Sequence, residues 1–353
     1  MTMEAARIAI LGVDLLDLIG WRLSKRMWHS TAALSAALAF GVAYRTLSSR
    51  KCQDRRSANP TELVVITGCD SGLGYSLAVH CRENLGLQVV AGVLKPHGPG
   101  AQDLGKRGVH VLPLELMDDE SITIFSQSLQ KILKDKNLVL RAVINNAGVM
   151  IFGEFEWQLA KHSHAQLKIN ATGPILLTSR LMPLIRANRA RIVNVSSHCA
   201  EAPLPGLAVY AASKAAIAAW TQALRMELAK YGINVISFVP GSFVNESSIL
   251  ANQKEHFDEM RQAMSEDTKR FYGDYFDRYA SYLSALRIKK GIHRIENSNL
   301  YRIFDRALLD DNPSAIYKCE PWRYTFYHTL FRIAPLQIKD WLVERFVNMP
   351  KWK

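Results

Sequence analysis

Tyr210 and Lys214 stand four residues apart in VYAASKAA, a spacing that puts both side chains on one face of a helix. A free tyrosine ionises near ~10, too high for easy proton exchange at neutral pH. A neighbouring ammonium favours the phenolate and lowers that value. A tyrosine so tuned takes a proton from an alcohol or gives one to a carbonyl. Ser197 precedes Tyr210 by 13 residues and directly follows the apolar run RIVNVS, where its hydroxyl can hold and polarise a substrate oxygen. His198 and Cys199 adjoin it and invite a nucleophilic-triad reading. No G-x-S-x-G elbow surrounds the serine, so both are read as walls of a pocket.

A second constellation lies far upstream. The β-branched run LVVIT, Leu63 to Thr67, leads into TGCDSGLG, with Gly68, Gly72 and Gly74, and then into a helical pattern. Glycine permits positive φ and close approach of the backbone to a pyrophosphate, and the helix start offers free N–H groups to that anion. Thr67, Asp70, Ser71 and Leu73 share this turn and are candidate contacts of the same ligand.

Elements must carry these residues to one place. Short apolar runs recur at Leu63 to Thr67, Gln88 to Leu94, His110 to Leu116, Ala142 to Asn145, Arg191 to Ser196 and Ile233 to Val239. Between them lie helical patterns such as Leu73, Leu77, Cys81 and Leu85, and the stretch from Glu120 to Lys134. Continuous apolar strands alternating with helices predict a mostly parallel sheet covered on both faces, an α/β doubly wound Rossmann-type fold. Ligands of such sheets bind beyond the carboxyl ends of the strands.

Composition sets the frame. The chain has 353 residues, 48% of them hydrophobic and 22% charged, which excludes a disordered or low-complexity protein. Mean hydropathy of −0.04 excludes a polytopic membrane protein but not a single anchor. With 44 Lys+Arg against 32 Asp+Glu the net charge is +12, which points to an anionic partner. No nucleic-acid-binding module accompanies it. The five cysteines, Cys52, Cys69, Cys81, Cys199 and Cys319, show no C-x-x-C spacing, so neither a disulfide framework nor a metal site is expected. The 18 residues from Met27 to Tyr44 carry no formal charge and read as either a short span or a surface-docked leader. Arg45, Arg50, Lys51, Arg55 and Arg56 then stand against Asp54, either a basic collar facing a membrane or a solvated linker. Near the other end, Ile338, Trp341, Leu342 and Phe346 recur at helical spacing. They form either an interfacial helix beside a membrane or substrate mouth, or a helix packed on the core. The expected organisation is a leader over 1–60, one catalytic domain over 61–315 with a substrate lid over 242–297, and an amphipathic extension over 316–353.

The motifs together resemble the short-chain dehydrogenase/reductase family, in the branch of retinol, hydroxysteroid and 3-hydroxybutyrate dehydrogenases. The glycine turn, Asn145-Asn146-Ala147-Gly148, Asn170 in KINATG, Ser197, Tyr210, Lys214 and Pro240-Gly241 occur in family order over roughly residues 61–245. The resemblance implies an oxidoreductase that moves a hydride between a nicotinamide cofactor and a hydroxyl or carbonyl group. It implies Tyr210 as acid/base, helped by the positive oxidised nicotinamide, and Ser197 as the residue holding the substrate oxygen. Lys214 would bond the nicotinamide ribose, and Asn170 would place a water that relays the proton through Lys214. Asn146, Ala147, Gly148, Pro240 and Gly241 join the cofactor contacts. At the end of the second strand VLKPHGPG carries no carboxylate, and Lys95 there can meet the 2′-phosphate of NADP. Asp70 would repel that phosphate, so NAD is expected and NADP is the alternative. Glu115 stands where the family usually has an aspartate near adenine, and Asn245 where it has a threonine beside the carboxamide. The tyrosines between Ser242 and Asn297 belong either to the lid surface or to helix packing. The implied substrate is a small apolar alcohol or ketone, either a steroid such as an ecdysteroid precursor or a retinoid. A 3-hydroxybutyrate-type substrate and a low-turnover dinucleotide-sensing role are the alternatives. The expected setting is the endoplasmic reticulum membrane, with the catalytic domain on the cytoplasmic side and a homo-oligomer as a candidate assembly; another membrane or the cytoplasm is the alternative.

Overall fold

The computed structural model describes residues 57–241, 248–284, 291–320, 322–347 and 349–352. The leader Met27 to Tyr44, the basic collar and Asn245 lie outside the described residues. Among the described residues no helix is long and apolar enough to cross a membrane.

In chain order the elements begin with β1 (Glu62–Thr67), α1 (Gly72–Glu83), β2 (Gln88–Val93), α2 (Pro99–Lys106), β3 (His110–Pro113), α3 (Asp119–Asp135) and β4 (Val139–Asn145). Then come α4 (Ala160–Leu167), α5 (Gly173–Asn188), β5 (Arg191–Val195), α6 (Ala208–Ala229) and β6 (Val235–Val239). The remainder is α7 (Gln253–Ala263), α8 (Glu266–Tyr272), α9 (Tyr275–Ser284), α10 (Ser298–Leu309), β7 (Ile316–Lys318), α11 (Trp322–Ile333) and α12 (Leu336–Val347).

The sheet runs β3-β2-β1-β4-β5-β6-β7, and each neighbouring pair is parallel. The strand order reverses between β1 and β4, which opens a crevice at their carboxyl ends. The inner strands β1, β2, β4, β5 and β6 are largely buried on both sides because both faces are covered. Val64 and Ile66 pack with Leu77 of α1, Leu104 of α2 and Phe304 of α10. Leu63 and Val65 face the opposite layer, with Phe125 of α3, Leu181 of α5 and Leu228 of α6.

Two buried arginines anchor α10 to the sheet. Arg141 of β4 pairs with Glu62 and reaches the Leu308 carbonyl, and Arg191 of β5 donates to the Ala307 carbonyl at 3.0 Å. Cations thus meet the negative end of the helix. Burial pushes the Arg191 guanidinium down to about 10.

The expected fold class holds, with corrections at the ends of elements. The third strand stops at Pro113, and Leu114 and Leu116 turn toward the crevice. The seventh strand, Ile316–Lys318, pairs with β6 and carries the sheet past the expected domain edge at 315. A strand of three residues is too short to show alternation, so the sequence carries no mark of it. Residues 291–297, expected at the end of the lid, lie on the core: Ile295 is buried and its N–H donates to Ser76 Oγ at 3.0 Å.

Candidate active site

The glycine turn is built by exclusion. Gly68 and Gly72 take φ of +69° and +58°, which side-chain-bearing residues rarely adopt. A Cβ on Gly74 would overlap the Gly68 carbonyl and lie 2.5 Å from Asn146 Nδ2. The turn is tied to β4 by Thr67, whose Oγ1 accepts the N–H groups of Asn146 and Ala147, both at 3.0 Å. Asn146 Nδ2 returns a bond to the Thr67 carbonyl at 2.8 Å. Its neighbour Asn145 turns into the sheet, bonding Thr178 and Asn194, and Asn194 bonds Thr221. That buried polar ladder locks β4 to β5 beneath the site.

A cavity of about 750 Å³ opens above these strand ends. Gly68, Asp70, Ser71, Gly72, Leu73 and Gly74 line one end, with Glu115, Asn146, Ala147 and Gly148 beside them. Ser197, Tyr210, Lys214, Pro240 and Gly241 line the same cavity. Two expected contacts stand outside its lining. Thr67 is fully buried and acts through its bonds to Asn146 and Ala147, and Lys95 is exposed, with its backbone N–H on Asp70. Asn170 also stands behind the wall rather than in it.

Asp70 packs against the end of β2. Its two oxygens accept the N–H groups of Leu94 and Lys95 at 2.9 and 2.8 Å, which fixes a negative charge at the tip of β2. Gly100 lets α2 close over it, since a Cβ there would overlap the Asp70 carbonyl. Glu115 curls back on its own chain, with Oε1 accepting the Met117 N–H at 2.8 Å.

Asn170 sits in a π-helical turn, Lys168–Thr172, that widens the helix between α4 and α5. Its Oδ1 accepts the Val149 N–H, and its Nδ2 donates to the Val149 carbonyl and to Ser213 Oγ. Both amide hydrogens are therefore engaged. Ser213 in turn donates to the Tyr210 carbonyl at 2.6 Å. This serine escaped the sequence reading because, in an Ala-rich helix, nothing marks it except its place beside Lys214.

Tyr210 and Lys214 share the buried face of α6, as the spacing predicts. Burial pushes Tyr210 well above its ordinary value, the nearby Cys199 adds to that, and a hydrogen bond with Ser197 opposes it. Lys214 Nζ donates to the Val195 carbonyl at 3.1 Å and lies 5.9 Å from the Tyr210 ring centre, so it does little for the phenol. Burial pushes Lys214 itself down to about 8. A Cβ at Gly148 would come 3.2 Å from Asn170 Oδ1, a tight contact, and 3.5 Å from Lys214 Nζ, an ordinary one.

The tail and lid divide their work. Tyr324 and Phe331 of α11 and Phe346 of α12 line the cavity, so the extension forms part of its mouth. Phe326, Ile338 and Trp341 stay more than half exposed on the same helix pair. Most of the tyrosines between Ser242 and Asn297 serve packing, while Tyr282 is exposed. Tyr272, Tyr275, Phe276 and Tyr279 surround Trp157 with ring centres 5.0 to 5.6 Å away, and none of them lines the cavity. Helix α7 is latched by Gln253, which exchanges two bonds with the Phe152 backbone, and by Glu259, which meets His162 Nε2 at 2.7 Å. His162, His256 and Glu259 bring their donor atoms within 4.8 Å of one another. The Leu159 N–H on His162 Nδ1 places that ring's proton on Nε2, toward Glu259, as suits a hydrogen-bonded latch.

Comparison with known proteins decides the family. The family model described as short chain dehydrogenase matches residues 62–256. The chain belongs to that family. Estradiol 17-beta-dehydrogenase 2 of Rattus norvegicus is 31% identical over 291 residues, covering 80% of this chain and 74% of that protein. D-beta-hydroxybutyrate dehydrogenase, mitochondrial, of Rattus norvegicus is 27% identical, covering 68% and 72%. Retinol dehydrogenase 7 of the same organism is 28% identical, covering 78% and 86%. The chain is an oxidoreductase of CH–OH groups that uses a nicotinamide dinucleotide. The glycine cradle fits such a group, because each position where a Cβ would intrude on the turn is glycine.

Proposed function

We propose that this short-chain dehydrogenase oxidises or reduces a steroid- or retinoid-type alcohol with NAD, beside a membrane surface. The observation that carries the reading is one cavity that joins the glycine cradle to Ser197 and Tyr210 and ends in an apolar mouth built by α11 and α12. Met150, Phe152, Leu204, Leu207 and Ile249 add to its apolar wall. The fixed Asp70 carboxylate supports NAD, since it disfavours a 2′-phosphate. The exposed aromatic and aliphatic side chains of α11 and α12, and the net charge of +12, support a membrane surface as partner.

The dinucleotide, when bound, supplies or receives the hydride. Ser197 holds the substrate oxygen by its hydroxyl. Tyr210 moves the proton at its phenol oxygen, inward from an alcohol and outward to a carbonyl. In the oxidative direction burial works against the phenolate, and the Ser197 hydrogen bond acts against that burial. Lys214 holds its ammonium near the floor of the cavity by the Val195 carbonyl. Asn170 positions the Val149 loop and, through Ser213, the first turn of α6.

The test is a substrate panel of sterols, retinol and 3-hydroxybutyrate with each cofactor, followed by nicotinamide absorbance. Apolar alcohols are expected to turn over, with higher kcat/KM for NAD. Tyr210→Phe should lower kcat at least ~100-fold while leaving dinucleotide binding intact. Turnover of hydroxybutyrate alone refutes the lipid-substrate reading. A Tyr210→Phe protein as active as the wild type refutes the assignment of the acid/base.

A further inference from the structure

After β4 the chain leaves the sheet and passes through Ile151, Phe152 and Gly153 outside any helix or strand. Buried main-chain polar groups in such a stretch need partners from elsewhere. Side-chain amides supply most of them. Gln166 Oε1 accepts the Ile151 N–H at 3.1 Å. Gln158 Nε2 donates to the Gly153 carbonyl at 2.9 Å and to the Ile151 carbonyl at 3.4 Å. The Gly153 N–H crosses to the Gly206 carbonyl at 3.1 Å. For Phe152 both partners come from one side chain: Gln253 Oε1 accepts its N–H at 2.8 Å, and Gln253 Nε2 donates to its carbonyl at 2.9 Å.

Gln158 and Gln166 lie close to this stretch in sequence, whereas Gln253 comes from α7, 101 residues beyond Phe152. Gln253 is 5% exposed, so water has little room to replace its amide. Phe152 joins two apolar clusters. It packs against the one that holds Trp157, Phe257 and Tyr279, and against the one that holds Met150, Leu207 and Tyr210. Its ring also lines the cavity, although no residue of α7 does. A helix outside the cavity thus holds the backbone of a wall residue that packs with the reacting phenol.

We propose that Gln253 is a positioning residue for the reaction: it fixes the Phe152 backbone, and thereby sets the Phe152 ring as the wall against which a bulky apolar alcohol or ketone is seated beside Tyr210. The inference rests on the reading of this cavity as the alcohol site and adds to it a determinant of fit. Without the amide, the Phe152 N–H and carbonyl lose both partners where water reaches poorly, and the stretch must shift to satisfy them. The ring touches the substrate body rather than the reacting atoms, so its displacement removes binding common to ground and transition states. Such a loss raises KM more than it lowers kcat. A protonated glutamic acid has the shape of the amide and the same pairing of one acceptor with one donor, while a carboxylate only accepts. Gln253→Glu therefore restores the clamp when its carboxyl is protonated, a form that burial favours, and breaks it when ionised.

The experiment follows reduction of a steroid ketone with NADH near pH 6 and near pH 8, each variant being compared with the wild type at the same pH. Gln253→Met should raise the KM for the ketone at least ~10-fold at both pH values, the size of a lost aromatic contact, with a smaller fall in kcat. Gln253→Glu should match Gln253→Met near pH 8 and return to within about threefold of the wild type near pH 6. Phe152→Ala should raise KM as well, and adding Gln253→Met to it should cost less than about threefold more, because the amide acts through the ring. Dinucleotide binding measured by fluorescence reports that each variant is folded. Should Gln253→Met fail to bind dinucleotide, the pH response of Gln253→Glu decides alone. A KM for Gln253→Met within about threefold of the wild type, full additivity in the double variant, or no recovery of Gln253→Glu near pH 6 overturns the role of Gln253 alone. Failure of the wild type to turn over any apolar alcohol or ketone overturns the underlying reading and the role of Gln253 with it.

Discussion

Replacing Lys214 by Met should stabilise the cofactor-free protein while it disables turnover. The ammonium is fully buried, and burial takes Lys214 from an ordinary value near 10.5 to about 8. At ~1.4 kcal/mol for each tenfold change in proton affinity, keeping it charged at pH 7 costs the folded chain about 3 kcal/mol. Methionine fills similar space without charge but gives up the hydrogen bond to the Val195 carbonyl, worth ~1 kcal/mol. The net gain is ~2 kcal/mol, or roughly 4–8 °C in Tm. The pH dependence has a definite sign. Folded Lys214 loses its proton near pH 8 and unfolded Lys214 near 10.5, so between those values the unfolded chain binds more protons and wild-type stability rises with pH. The advantage of the Met variant should be full below pH 8 and close toward pH 10.5. Urea denaturation of both cofactor-free proteins from pH 7 to 10 measures this. A variant less stable than the wild type, or a difference independent of pH, refutes the reasoning. In parallel, kcat should fall at least ~100-fold.

Three other outcomes follow from the geometry. Gly74→Ala forces a methyl against the Gly68 carbonyl and Asn146, which should weaken dinucleotide binding by at least ~2 kcal/mol, about 30-fold, measured by fluorescence titration. Asp70→Ser removes the fixed negative charge beside β2 and should lower the NAD:NADP ratio of kcat/KM at least ~10-fold; an unchanged ratio would remove Asp70 from cofactor choice. Glu62→Leu leaves the Arg141 guanidinium buried without its carboxylate and should cost ~3–5 kcal/mol in chemical denaturation, with little change in the kcat of the protein that remains folded.

Much of the site was legible because its chemistry demands particular residue types at particular spacings. The helical period fixed Tyr210 and Lys214 on one face, and the glycines marked a turn that excludes Cβ atoms. Strand edges were less legible. Pro113 ends β3 early, and β7 is too short to carry a pattern. Local sequence does not say how two of its candidates are held: the Thr67 hydroxyl accepts the Asn146 and Ala147 N–H groups, and the Lys95 backbone N–H donates to Asp70.

By itself, then, the sequence determined the alternation of strands and helices, the parallel sheet, the glycine cradle and the Ser197, Tyr210, Lys214 set. Each depends on periods of two to four residues or on a residue type with no substitute. Only the tertiary structure decided what surrounds them. Burial raises the proton affinity of Tyr210, and desolvation depends on every element packed above the site. Likewise β7 and α11, more than a hundred residues beyond Ser197, bring Glu320 and Phe331 to the same cavity. No local period encodes such a meeting. It follows from strand order, which adds β7 beside β6 at the edge of one sheet.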